Sequence, residues 1–587
     1  MGANENYPMS TITMLSRRHG AKLFMFLCVF QSASWAQTAA PSTITTGLPD
    51  PIIELRRQQE REAQDRKRLE TTTETRPPAD VPKEQERLPI GETPCLKIDQ
   101  INIVGDGVEG REWSWLLDSL YGTKGDDSPF GRCLGAGSIN LLLKRGQNAL
   151  IAKGFITSRI LAQQQDLKTG KLTLNLVLGR IRNIRFATTA TVSLNAIPAK
   201  SGDVLNLRDI EQALENFKRV PTAEADIKIE PSTAPSESDL LIEWKQIKVA
   251  RYSLGLDDSG SDTTGKRQAS ATVSVDNPLG LSDLFYVTLN HDAGGGDGAK
   301  PKGTQGATLH YSLPYGYWNL SSTASYNTYK QTVIGDYENY LYSGKSSNIE
   351  LKASRVVYRD AANKTTVSGR LYRRASSNFI DDTEVEVQRR VTSGLELAAG
   401  HRIFWGAATV DGQIAYKQGL KILGALAAPE EAFDEGTSQF KIVTADLNLS
   451  APFKLAEQKF RFDSVFKLQH NLTPLIPQDR FSIGSRYTVR GFDGNTSLAA
   501  EKGLLLQNTL SWSIPQISSE LYLGIDYGKL SGPATELLVG NSLIGSVLGV
   551  RGNLYGLSFD VFVGRPLRKP AELEAGNVYG FNLNYSF

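Results

Sequence analysis

From about residue 248 to Phe587, short segments of alternating apolar and polar residues follow one another without helical periodicity. SATVSVD, LFYVTLN, ATLHYSL, VSGRLYRR, FKIVTADLNLS, GLLLQNTLSWS and GLSFDVFVG are typical. A period of two sends successive side chains to opposite faces of a strand. Natural breaks divide the region into about 16 strands, an even number, as in bacterial outer-membrane barrels. The last segment, NVYGFNLNYSF, carries the pattern most clearly. Tyr579, Phe581, Leu583, Tyr585 and Phe587 alternate with Gly, Asn and Ser. An aromatic face backed by a small or polar face suits lipid on one side and a wet lumen on the other.

Upstream the period changes. Residues 94 to 180 read as an α/β module: KIDQINIVG as a strand, a helix from Ile139 through Lys153 that Ser138 could cap, then GFITSRILAQQ and KLTLNLVLG as strands. Residues 181 to 247 repeat the theme, with IRNIRF, ADIKIEP and SDLLIEWKQI as strands. Their helix, NLRDIEQALENFKRV, sets Ile210, Leu214 and Phe217 on one face. Residues 50 to 70, within a 37–71 segment, predict a charge-dense helix with Glu62–Arg66 at a favourable (i, i+4) spacing. No apolar stripe runs along it, so it bridges solvent, fills a polar cavity or remains a solvated linker. Residues 72 to 93 form a proline-broken polar tether.

Composition then narrows the class. A formal net charge of +2 gives no sign of a nucleic-acid partner. Negative mean hydropathy would suit a soluble protein, except that barrel strands average out as polar. Arg17, Arg18, His19 and Lys22 precede the apolar run LFMFLCVF, and Ser34-Trp35-Ala36 offers a cleavage site, so residues 1 to 36 read as an export signal. Translation could equally begin at Met9 or Met14. No segment offers the ~20 apolar residues of a membrane helix. Cys28 leaves with the signal, and an exported chain is expected to pair the remaining Cys95 and Cys133. Metal binding competes with that reading, but none of the five histidines lies near either cysteine.

Candidate chemistry is sparse. Gly260 to Lys266 matches the spacing of a phosphate-binding loop, yet Arg267 stands where Ser or Thr belongs and a strand follows instead of a helix. The sequence contains neither GxSxG nor HExxH, so no catalytic residue, metal site or cofactor is expected, and an enzyme is the weakest reading.

Several fragments, in order, resemble the outer-membrane transporters of two-partner secretion, the TpsB family. PCLKIDQINIVG, GRCLGAGSIN and GFITSRILAQQQDLKTGKLTLNLVLGRI resemble the first polypeptide-transport-associated (POTRA) domain, and LNLRDIEQALENFKRVPTAEADIKIEPS the second. LDDSGSDTTGKRQASATVSVDNPLGLSDLF resembles the signature at the start of the barrel, and LPYGYWNL and VRGF complete the set. The resemblance implies a sixteen-stranded membrane β-barrel over 248–587, two periplasmic POTRA domains, and a plug made by the charged helix. It implies a loop over about 470–503 folded into the lumen, carrying Val489, Arg490, Gly491 and Phe492. The arginine is expected to pair with Asp526 of the Gly524-Ile525-Asp526-Tyr527-Gly528 motif, a bidentate match of guanidinium to carboxylate. A solvated loop arginine is the alternative, and Asp493 is a poorer, merely local partner. Tyr585 and Phe587 would mark the terminal strand for the barrel assembly machinery.

The function implied is export, without nucleotide hydrolysis, of a large unfolded exoprotein (adhesin, cytolysin or contact-dependent inhibition toxin). A monomer in outer-membrane lipid would recognise the exoprotein's N-terminal secretion domain, with client folding outside as the driving force. A BamA-type assembly factor is the alternative, although it usually carries more POTRA domains and no plug helix. A diffusion porin would need no periplasmic modules.

Overall fold

The computed structural model describes residues 51–70, 74–75, 87–105, 113–122, 124–189, 191–294 and 301–587. The export signal expected over 1–36, and most of the tether over 72–93, lie outside the described residues. Sixteen long antiparallel strands, from Ala250–Asp257 to Val578–Ser586, close into a barrel. A two-residue piece, Thr383–Glu384, extends one hairpin. Closure leaves no unpaired sheet edge in lipid, where an unsatisfied backbone group is costly.

The alternation seen in the sequence sorts side chains between lipid and lumen. Leu254, Leu256, Leu289, Leu309 and Ile414 are exposed on the outer wall. Inside, Arg370 joins Glu350 at 3.0 Å to Glu396 at 2.6 Å, three charges on three neighbouring strands. Such cross-strand pairs hold lumenal charges that would be prohibitive on the lipid face. The chain's last residue completes the ring: Phe587 and Tyr252 exchange backbone hydrogen bonds at 3.0 and 3.2 Å, and their rings stack at 5.7 Å.

Two α/β modules precede the barrel. In the first, Gln100–Val104 lies parallel to Lys171–Val177, whose other side takes Arg159–Leu161 antiparallel. Helices α2 (Ser114–Ser119) and α3 (Ala136–Ala152) cover this sheet, burying Leu116, Leu120, Leu142 and Leu150 against Leu172 and Leu174. α3 begins before Ser138. Its exposed N–H groups at Gly135, Gly137 and Ser138 are satisfied by the Glu92 carboxylate, which also accepts from the Ser138 hydroxyl. An anion there complements the positive helix end, and the Ser138 hydroxyl and these N–H groups hold Glu92 below the usual carboxylate range. KIDQINIVG proves to be two strands, because the chain turns at Asp99 to accept a partner from each of two sheets. Leu96–Ile98 pairs instead with Arg132–Leu134, beside the Cys95–Cys133 disulfide (Cα–Cα 5.2 Å). Closing a 38-residue separation stabilises the module by about 4 kcal/mol in the chain-entropy model.

The second module places Arg180–Phe186 parallel, and Ala223–Pro231 antiparallel, to Glu237–Gln246. α4 (Leu207–Lys218) starts at Asn206, whose side chain accepts from the Arg208 N–H. Ile210, Leu214 and Phe217 are buried against Leu240, Ile242 and Trp244, as their spacing predicts.

Candidate functional site

The site is built on the loop between the Gln458–Asn471 and Lys502–Ile514 strands. This loop turns inward and carries its own short hairpin, Phe481–Ile483 with Leu498–Ala500. Ile483, Val489, Phe492 and Leu498 form a dry cluster with Leu505, Leu530 and Leu543 of the wall. Val489 and Phe492 are therefore packing anchors, and they fix the direction in which Arg490 leaves the backbone.

Arg490 makes a bidentate pair with Asp526, Nη2 to Oδ1 at 2.6 Å and Nε to Oδ2 at 2.7 Å. Its backbone N–H donates to the same carboxylate at 2.9 Å, and Nη2 also donates to the Asn508 carbonyl at 3.2 Å. Asp526 is fully buried. Glycines make room for this contact. A Cβ on Gly524 would stand 2.6 Å from Arg490 Nη2, and one on Gly545 would stand 1.9 Å from the Arg490 carbonyl oxygen. Gly528 admits Ile483 and Val489 in the same way, and Gly491 takes φ +109° where its neighbour is the Arg565 carbonyl. Gln507, opposite Asp526 in register, donates to the Thr488 carbonyl at 2.6 Å.

Helix α1 (Pro51–Leu69) lies in the lumen, and its 19 residues span ~28 Å. Its first turns meet the loops at the outer end: Glu54 accepts from Thr264 at 3.0 Å, and Arg57 donates to the Gly494 carbonyl at 3.0 Å. Farther along, Ser485 donates to Glu60, and Ser325 and Asn327 to Glu62. Arg66 pairs with Glu350 on the wall at 2.5 Å. The spacing of Glu62 and Arg66 suggested a pair along the helix, but in the lumen both turn outward to polar partners on the wall. The chain at 260–267, which mimics a phosphate-binding loop, supplies Thr264 to this contact and leads into the strand Gln268–Asp276.

At the periplasmic rim the second module is ion-paired to the barrel. Arg359, nearly buried, donates to Glu211 at 3.1 Å and Glu215 at 2.7 Å, both on α4, and to the Thr75 carbonyl at 3.1 Å. Lys364 reaches Glu215 at 2.8 Å and Glu74 at 3.2 Å. Arg219 donates to the carbonyls of Ser282 and Ser312, and Asn216 to that of Gly316, all at the periplasmic end of the barrel. Burial alone would raise the Glu215 carboxyl, but the Arg359 hydrogen bond and the Lys364 charge bring it well below the usual range. A depressed carboxylate stabilises the junction above its unfolded value and loses that contribution as pH falls through the folded one. Arg359→Ala takes one cation from each of two buried carboxylates but leaves Glu215 to Lys364 and Glu211 to Arg208, so each charged hydrogen bond lost weakens the junction by ~1.5–3 kcal/mol. The expected result is a second module that becomes protease-sensitive at neutral pH while the barrel keeps its folded electrophoretic mobility. Unchanged proteolysis would count against this junction.

The residues singled out in the sequence thus fall into three places. Val489, Arg490, Gly491, Phe492, Gly524, Asp526 and Gly528 meet in the lumen. Cys95 and Cys133 lie in the first module, Tyr585 on the closing strand and Phe587 one residue beyond its end. Asp493 accepts only locally, from the Asn495 N–H. Sequence reasoning missed Gly545 and Glu350, and Gly564, whose added Cβ would lie 2.8 Å from Gly491 Cα. A glycine on the lumenal face of consecutive strands is the signal that could have found two of them. Among the described residues, no group of acidic, histidine and cysteine side chains is arranged to hold a metal ion.

Comparison with known proteins agrees with this fold. Residues 236–552 match the family model of the haemolysin secretion/activation protein ShlB/FhaC/HecB, residues 127–179 a ShlB-type POTRA domain, and residues 180–231 a POTRA domain. The chain is 35% identical to the outer membrane transporter CdiB-2 of Burkholderia pseudomallei, over 90% of this chain and 93% of that one. It is 27% identical to the hemolysin transporter protein ShlB of Serratia marcescens, over 68% of this chain and 71% of that one. The solved structure of CdiB from Acinetobacter baumannii superposes with a TM-score of 0.79 at 29% identity, covering 92% of this chain and 100% of that one. With a sixteen-stranded barrel in the outer membrane and two POTRA domains in the periplasm, the chain belongs to the ShlB/FhaC/HecB family of two-partner secretion transporters.

Proposed function

We infer that this transporter receives a large secreted partner in the periplasm and passes it unfolded through its barrel, with α1 as a removable plug. The observation that carries this reading is the lumen itself, crossed by a helix held through polar side chains and so able to leave without exposing an apolar face. The Arg490–Asp526 pair is the fixed part, a latch that keeps the inward loop against the wall while the plug moves.

The POTRA domains are the receiving surface for the client's N-terminal secretion domain. In the first of them Gln100–Val104 is an edge strand without charged residues, which supports addition of an extended client segment. A single closed barrel supports function as a monomer, and its aromatic last strand supports insertion by the barrel assembly machinery. The test pairs the transporter with the large exoprotein encoded beside it, in a host lacking both. The exoprotein is expected in the medium or on the cell surface only when the transporter is present, with porin levels unchanged. Export without the transporter would overturn the reading, and so would a fall in porins on its removal, the mark of an assembly factor.

A further inference from the structure

The barrel closes on its weakest joint. The first strand (Ala250–Asp257) and the last (Val578–Ser586) share a register of five residue pairs, Ser253–Asp257 against Asn582–Ser586. The first strand pairs through eight residues with its other neighbour, and so does the last. Val578, Tyr579 and Gly580 pair with the Leu557–Arg568 strand but have no register partner on the first. Beyond this register Tyr252 and Phe587 exchange two backbone hydrogen bonds at the periplasmic end, but at the outer end only the Asp258 N–H, 3.4 Å from the Phe581 carbonyl, extends the pairing, so the wall is thin there.

Arg486 of the inward loop lies across that gap. Its Nη2 donates to Asp258 Oδ1 at 2.6 Å, one residue beyond the end of the first strand. The same oxygen accepts from the Phe581 N–H of the last strand at 2.9 Å. The guanidinium also lies over the Phe562 ring, 5.1 Å from its centroid, on the strand next to the last. Gly580 makes the passage possible, because a Cβ there would meet Arg486 Nη2 at 2.6 Å and Phe562 Cζ at 2.2 Å. Both ion-pair partners are largely buried, with side-chain exposures of 12% and 9%. One side chain thus contacts the first strand's end and the last two strands of the barrel. Arg490, four residues on, holds a different part of the wall.

We propose that Arg486 and Asp258 form a brace across the closing seam, which keeps the barrel wall shut toward the membrane where backbone pairing is short. Asp258 Oδ1 accepts from both the guanidinium and the Phe581 N–H, so loss of Asp258 removes both contacts, whereas loss of Arg486 frees Asp258 and Phe562 from the loop and leaves the Phe581 bond alone. Arg486 is a positioning residue here. The benefit to transport, a closed wall while the lumen opens for a client, rests on the function proposed above, but the brace is measured without any client.

The experiment uses the full-length transporter, purified and placed in planar bilayers and in vesicles of outer-membrane lipid. Arg486→Ala and Asp258→Ala are each made in a protein also carrying Asp257→Cys and Asn582→Cys, the outermost register pair across the seam. With these cysteines reduced, both variants are expected to raise the resting conductance and to lose the folded electrophoretic form at a lower temperature than the parent. Oxidation of the cysteine pair is expected to restore both properties, and Arg486→Lys, which keeps the charge without the planar stack, to fall between parent and alanine. Parent-like conductance and melting in the reduced alanine variants would overturn the brace. Defects that oxidation leaves unrepaired would overturn it equally, since they would place the damage elsewhere in the fold. A variant that does not fold is replaced by Asp258→Asn, which retains the side chain's shape and an acceptor for Phe581. If its conductance and melting match the parent's, the ionic brace is refuted.

Discussion

Arg490→Ala is expected to reduce export of the partner to background while the barrel still inserts and keeps its folded electrophoretic mobility. The separation of these two outcomes follows from where the residue stands. Asp526 is fully buried and receives three donors from Arg490, two from the guanidinium and one from the backbone. Truncation leaves that carboxylate with the backbone donor alone, a cost of ~3–5 kcal/mol for an ion pair broken from one side. The loop does not collapse as a whole, because Val489 and Phe492 remain in their apolar cluster. What is lost is the register of the loop against the Ser519–Ser531 strand. Arg490→Lys is expected to fail nearly as badly, since an ammonium cannot present two parallel N–H donors to a carboxylate. Asp526→Ala should reproduce the defect, and the double variant should be no worse than either single one, because the two residues act as one unit. The measurement is exoprotein in the medium against folded transporter in the same cells. Normal export by a correctly inserted Arg490→Ala protein would refute the latch.

Some of this architecture is written locally, and those parts were legible. Tyr579, Phe581, Leu583, Tyr585 and Phe587 alternate because lipid and lumen impose opposite chemistry on the two faces of one strand. Ile210, Leu214 and Phe217 recur at helical spacing because one dry sheet covers one face of α4. The lumenal arginine could be matched to Asp526 only through the resemblance of VRGF and of residues 524–528 to the family's motifs, and the glycines at 524 and 528 prove to be where the wall admits the loop. Other contacts leave no such mark. Arg486 and Asp258 are 228 positions apart and look like ordinary loop residues until the barrel closes. α2 is one and a half turns long, too short for a period to declare itself, and its leucines are fixed by tertiary packing. The partners of α1 are illegible for a deeper reason. A helix that is polar all round carries no code for which face meets which wall, so Glu62 and Arg66 read as partners of each other when each in fact meets the barrel.

That absence of a coded face bears on the second large effect, removal of α1 itself. Deleting residues 51–69 is expected to raise the resting conductance well above the parent's, and to sensitise cells to antibiotics too bulky for ordinary porins. A helix with its side chains is about 10–12 Å across, so its removal opens a passage of at least that width. The barrel should tolerate the loss. The partners α1 leaves behind, Thr264, Ser325, Asn327 and Glu350, face a lumen that water can fill, and Glu350 keeps Arg370 at 3.0 Å. Each hydrogen bond exchanged for water is worth only about 0.5–1.5 kcal/mol. The same reasoning predicts a graded series. Arg66→Ala removes one wall contact and should raise the fraction of time spent open, whereas Leu69→Ala, at the helix's last residue, should change conductance little. Planar-bilayer recordings of the deletion and the two point variants distinguish these levels. A deletion that conducts no better than the parent would mean that the inward loop, and not α1, closes the lumen.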